Sequence, residues 1–218
     1  MKDGINTVKV NNTQKELVFF GKITASTTHE IKNVLAIIQQ SSGLLEDFLD
    51  MPDSDDFKHK DRFISTLDRI QTQIQRGIGI TSNLNHFAHS PDNEKSHIDL
   101  NELIQQLSLL ASRFAKLKKV SLSTKLNEIP LNVYANPVHL QMHIFNAIEI
   151  VLQHIEDGTL TLSLAQDKQI KLHLHHDLMT EDQLNDILSS EEWVLVQKDL
   201  CRMGIETGLG RIPKNSVF

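Results

Sequence analysis

The stretch Ile23-Thr24-Ala25-Ser26-Thr27-Thr28-His29-Glu30-Ile31-Lys32-Asn33-Val34-Leu35-Ala36-Ile37-Ile38 decides how this chain is built. With Thr24 as heptad position a, Ile31, Ile38 and Leu45 also fall at a, and Phe20, Thr27, Val34, Ser41 and Phe48 fall at d. Apolar side chains therefore recur in alternating steps of three and four, with no proline from Gln14 to Asp50, which predicts a long helix with one apolar seam. Met51-Pro52-Asp53-Ser54-Asp55-Asp56 breaks it with a proline and an acidic, turn-forming run. A second seam follows through Phe63, Leu67, Ile70, Ile74, Gly77, Thr81, Leu84 and Ala88, so the two helices make an antiparallel hairpin. One neighbouring helix does not cover such seams, and the economical closure is a homodimer forming a four-helix bundle.

Beyond the hairpin the pattern changes. His89 to Ser96 is polar, carries Pro91 and lacks periodicity, which marks a linker at 91–98 between a hairpin at 1–90 and a second domain at 99–218. Asp99 with Glu102 opens a helix to about Leu117, and Val120 to Leu126 alternates as a half-buried strand does. Asn136-Pro137 caps a helix running to about Ile155. Thr159 to Ala165 and Ile170 to His175 are period-two segments joined by a hairpin turn, and two short helices open at Thr180 with Gln183 and at Ser189 with Glu192. The fold class is α+β: a helical hairpin, then helices on one face of a sheet.

Composition removes several functions. The 218 residues carry 22 basic and 28 acidic side chains, a net −6 that opposes nucleic-acid binding, and aromatics are too few for base-stacking platforms. The longest apolar runs, such as Val34 to Ile38, are too short to span a bilayer and no secretory leader opens the chain, which predicts a cytoplasmic protein without a membrane partner. Cys201 stands alone, so no disulfide framework is expected, and with only Arg202 as a basic neighbour it reads as a buried, inert thiol.

In the heptad frame His29 takes position f, furthest from the seam, with Lys22, Ala36 and Gly43 at the other f positions. An exposed imidazole thus stands on a rigid helix beside a strip of small residues where a partner helix can lie. Asn33 and Lys32, four and three residues on, cover the next turn of that face, whereas Glu30 is about a quarter turn round. The other histidines pair loosely: His139 with His143 on a helix, His173 with His175 on a strand. No carboxylate or Cys completes a ligand spacing around them, so no metal site is expected. Met142, Met179 and Met203 read as core filler.

The His29-Glu30-Ile31-Lys32-Asn33 run closely resembles the phosphoacceptor box of bacterial two-component sensor histidine kinases, lacking only a proline where Val34 stands. Asp99 to Leu103 resembles the segment that follows the hairpin in that family. The resemblance implies His29 as the phosphorylated residue, Glu30, Lys32 and Asn33 as its helpers, and Lys22, Ala36, Ile37, Gln40 and Gly43 as the surface met by a response-regulator receiver domain. It also implies an ATPase-like α/β sandwich after the linker, and there the nucleotide boxes fail. Tyr134 to Leu140 resembles the entry to the helix bearing two asparagines, but the positions read Asn146 and Ile150, and an alkyl group offers a magnesium ion no lone pair. His173 to Asp182 contains no glycine where Asp-x-Gly-x-Gly belongs. Only Ser189 to Glu192 stands in place of a lid, and Gly208-Leu209-Gly210 reads as a turn. The resemblance is therefore to histidine phosphotransferases with a degenerate ATP-binding-like domain, which use no cofactor of their own and rely on Mg²⁺ held by the receiver. The alternatives are a divergent ATP-dependent kinase and a non-catalytic dimeric scaffold that docks a receiver.

Overall fold

The computed structural model describes residues 2–49 and 60–211; the expected break at 51–56 lies outside them. The chain divides into two compact units, residues 24–87 and residues 1–23 with 88–218. The boundary thus falls inside the first helix: the residues before Thr24, expected in the hairpin, group with the sheet domain.

The hairpin unit consists of most of α1 (Lys2–Leu49) and α2 (Lys60–Ala88). Thr27, Val34 and Ser41 at d are buried, with Ile31, Ile38 and Leu45 beside them partly covered. Thr24, expected at a, is exposed, since the buried stripe here is centred on d. A Cβ added at Gly77 would stand 3.3 Å from Val34 Cγ1, so the bare backbone of α2 is what admits α1 this closely. Along α2 the inward stripe runs through Phe63, Thr66, Ile70, Gln73, Gly77, Ile80, Leu84 and Phe87. Leu67, Ile74, Thr81 and Ala88, expected on the same seam, face outward with Ile64 and Ile78. Apolar surface therefore remains on the hairpin after α1 and α2 have met.

The second unit is a two-layer α+β domain. Strands β2 (Ser121–Lys125), β4 (Thr159–Gln166), β5 (Ile170–His176) and β6 (Ile205–Arg211) form one sheet in the order β2-β4-β5-β6, with β4 and β5 antiparallel and the outer pairings parallel. Leu160, Leu162 and Leu164 alternate with Thr161 and Ser163 along β4, as Leu172 and Leu174 do with His173 and His175 along β5. This period of two buries one face beneath α3 (Leu100–Leu117), α4 (Pro137–His154) and α6 (Glu191–Arg202). The interior includes Leu107, Phe145, Ile148 and Trp193; Met142 and Met179 are buried with them. A short helix, α5 (Glu181–Ser189), precedes α6.

The side-chain caps fall largely as expected. Asn136 accepts from His139 N at 2.9 Å, and Thr180 and Gln183 close a reciprocal capping box. Asp99 accepts from Asn101 N rather than joining Glu102 in a box, and the cap of α6 is Ser190, one residue later than expected. The expected linker holds a short 3₁₀ turn (Ser90–Asp92) and β1 (Ser96–Asp99), which pairs antiparallel with β3 (Asn132–Ala135). Gly208 and Gly210, expected in a turn, lie in β6 opposite His173 and His175. The reason is steric: a Cβ at Gly208 would collide with the His173 ring, so the glycines seat two stacked imidazoles, with centroids 5.7 Å apart, against the strand. Cys201, expected to be buried, is exposed on α6.

Candidate functional site

His29 is exposed on α1. Its Nδ1 lies 3.2 Å from Asn33 Nδ2, one helical turn on, as the i, i+4 spacing places them. A carboxamide serves an imidazole in both senses: Nδ2 donates to a bare Nδ1, and the amide turned over offers Oδ1 to Nδ1–H. In the second arrangement the ring proton sits on Nδ1 and Nε2 keeps a free lone pair, which is the form of a nucleophilic histidine. Glu30, expected among the helpers of His29, is instead paired with Arg76 of α2. The Glu30 carboxylate is turned into the hairpin and Asn33 is the residue that reaches the imidazole. Arg76 was not legible as part of this neighbourhood, because its position opposite Glu30 depends on the hairpin register, which the loop chemistry at 51–56 does not dictate.

Lys32 is exposed on the same helix. Ala36 and Gln40 are exposed and Ile37 and Gly43 partly covered; a Cβ added at Gly43 would meet nothing within 4 Å. This part of α1 therefore offers small side chains and open space. Lys22 belongs to the other unit, where its ammonium donates to both oxygens of Glu149 on α4, at 2.8 and 2.7 Å. Its charge is engaged within the sheet domain.

The positions that would serve a nucleotide are occupied by other work. Asn146 lies partly covered on α4, and Ile150 one turn on is only 8% exposed, its alkyl chain contributing to the core. Where the glycine box is expected, Asp177 accepts the backbone N–H of Thr159 at 2.8 Å and His176 Nε2 donates to the carbonyl of Asp157 at 2.9 Å. Together they fasten the left-handed turn at Asp157-Gly158. Gly158 there has no room for a Cβ against Asp177. Downstream, Ser190 ends α5 with its N–H on Ile187 O and starts α6 by accepting Trp193 N on its hydroxyl. One residue is both caps, and nothing can be folded between the helices as a lid. At these positions the side chains are engaged in the core, in a turn and in two helix caps.

His139 and His143 have local partners. His139 Nε2 meets Glu16 Oε1 at 2.7 Å, and His143 Nδ1 stands 3.8 Å from Asp199 on α6. Burial holds the His143 imidazole below its ordinary value of 6.5, against the pull of Asp199 and with His139 and Lys15 adding to the fall. Burial, then His173 and Lys125, lower His175 in the same sense. Among the described residues no group of three or more side chains could hold a metal ion, and no helix is long and apolar enough to cross a membrane.

No family model matches the chain. Its sequence is similar to sporulation kinase B of Bacillus subtilis (strain 168), 24% identical over 144 residues, a match taking in 66% of this chain and 32% of that protein. The chain thus spans about a third of the length of this curated relative. Among solved structures it is similar to the histidine kinase AdeS of Acinetobacter baumannii, with a TM-score of 0.38 and 12% identity, covering 79% of this chain and 86% of that one. A second is the histidine kinase ThkA in complex with the response regulator protein TrrA, with a TM-score of 0.34 and 17% identity, covering 83% and 54%.

Proposed function

We propose that this chain, which is two-component and histidine-kinase-like in kind, is a histidine phosphotransfer protein. His29 takes a phosphoryl group from the aspartyl phosphate of one response regulator and passes it to the aspartate of another, without ATP. The observation that carries the reading is a contrast within one molecule. The hairpin keeps an exposed imidazole with its Nδ1 engaged by Asn33, while the sheet domain carries a buried Ile150 where the resemblance implies a magnesium ligand and Ser190 as a double cap where it implies a lid.

The transfer asks little of this chain beyond position. Neutral His29 holds its proton at Nδ1 on Asn33 and presents the Nε2 lone pair to phosphorus; the N–P bond forms as the bond to the aspartyl oxygen of the receiver breaks. The phosphoimidazolium then gives the Nδ1 proton to solvent water, and the Asn33 amide, turned to donate, pairs with the bare nitrogen. Lys32 screens the phosphoryl charge, and Mg²⁺ bound by the receiver neutralises it in the loose transition state. Ala36, Ile37, Gln40 and Gly43 form the surface on which the receiver helix lies. The outward Leu67, Ile74 and Ile78 of α2, with Leu35 of α1, are the surface that a second copy covers to complete a four-helix bundle.

The test sets two phosphoryl donors side by side. Purified protein is incubated with radiolabelled Mg-ATP, and separately with receivers phosphorylated by a small-molecule donor. Label arriving from a receiver and none from ATP is the expected result; label from ATP alone would make the chain a kinase.

A further inference from the structure

The phosphotransfer reading leaves unused the contact between residues 13–23 of α1 and the outer face of α4. Phe19 is 3% exposed and Ile23 fully buried, although Leu17 and Val18 beside them face solvent, so a single narrow stripe of this segment is packed. The Phe19 ring lies 5.4 Å from that of Phe145, which stands edge-on to Phe114 at 5.1 Å. Polar pairs flank this anchor on both sides: Glu16 with His139 at 2.7 Å, and Lys22 with both oxygens of Glu149. Positions 16, 19 and 22 share one helical face, as do 139, 145–146 and 149, and the two segments run the same way. The order acid, phenyl, base therefore meets the order imidazole, phenyl, acid. Sliding by one turn would leave Glu149 without its cation. The packing is incomplete, for an open groove of about 410 Å³ runs alongside, lined by Gln14, Lys15, Val18, Met142 and Asn146 among others.

We propose that this face of α4 is a helix-binding site and that residues 13–23 are its resident, reversibly held ligand: a strap that the sheet domain grips by one aromatic anchor, the Lys22–Glu149 ion pair and the Glu16–His139 hydrogen bond. The partner it fits is an amphipathic helix carrying an acid, a phenyl ring and a base three residues apart. An ordinary apolar contact would be indifferent to the order of these charges and to salt. A keyed strap is selective for both, because its polar pairs lie at the surface where ions screen them. The proposal stands whether or not His29 carries phosphate.

Hydrogen–deuterium exchange on the full chain tests it, since local opening is read peptide by peptide. Lys22→Glu should speed exchange across residues 13–22 by about tenfold, as should Glu149→Lys, while the combined Lys22→Glu/Glu149→Lys swap returns it to within about threefold of the parent. Raising sodium chloride to about 1 M should speed the same peptide in the parent protein and leave β4 and β5 unchanged. If Glu149→Lys also loosens β4 and β5, Lys22→Gln, which keeps length without charge, decides by the same peptide. Exchange at 13–22 that ignores Lys22→Glu and Lys22→Gln, or a charge swap that restores nothing in an intact sheet, would overturn the strap.

Discussion

Replacing Asn33 by alanine separates positioning from chemistry at His29. The amide makes one hydrogen bond to the imidazole, 3.2 Å long and exposed to water. A solvent-exposed bond of this kind is worth about 0.5–1.5 kcal/mol net, and it orients the ring without touching the transferred group. If that whole amount is lost in the transition state, transfer slows by about 2- to 10-fold. Single-turnover transfer from a phosphorylated receiver, followed by quenched flow, measures this directly, with circular dichroism to show that α1 is intact. Asn33→Asp sharpens the test. A carboxylate against Nδ1 favours the charged imidazole and raises its pKa, so, with the unprotonated ring as the proposed nucleophile, the pH–rate profile should move to higher pH. A loss of more than about 100-fold in Asn33→Ala, or an unmoved profile in Asn33→Asp, would refute the assignment of Asn33 as the tautomer-setting residue.

Other outcomes follow from the same structure. Leu67→Glu with Ile74→Glu places charge on the outward face of α2, where each apolar side chain buried in a bundle contributes about 1.5–3 kcal/mol; sedimentation should show monomer, and an unchanged dimer would put the interface elsewhere. Ala36→Arg puts a bulky charge on the proposed receiver surface without entering the core and should weaken receiver binding by about 2 kcal/mol, read as the titration midpoint in fluorescence anisotropy. His143 has a folded pKa below its ordinary 6.5, so the unfolded chain binds more protons beneath that value. Its contribution is complete above pH 6.5 and is lost as pH falls towards the folded pKa, and urea unfolding of His143→Gln should show a shallower fall over that window.

The elements with strong periodicity were legible in the sequence. The seams of α1, the alternation in β4 and β5, and the caps at Asn136 and Thr180 are local chemistry, fixed within one or two turns of the chain. What could not be read there depends on long-range placement. β1 and β3 are four residues each and β6 carries two glycines, which His173 and His175 face across the β5–β6 pairing. The inward stripe of α2 lies a fraction of a turn from the expected seam for the same kind of reason, since which of Ile70 and Ile74 faces α1 depends on where Gly77 meets Val34. At the site, the exposure of His29 and the i, i+4 reach of Asn33 follow from helical geometry alone. The diversion of Glu30 to Arg76 and of Lys22 to Glu149 required knowing which helices lie opposite.

Of the eleven histidines, His29 alone is proposed to carry the phosphoryl group. The most direct measurement is acid-labile, base-stable label on full-length His29→Gln protein after incubation with a phosphorylated receiver, beside the parent protein under identical conditions. The parent should be labelled and the variant unlabelled, with unchanged circular dichroism and sedimentation for both. Label recovered on His29→Gln would contradict the assignment.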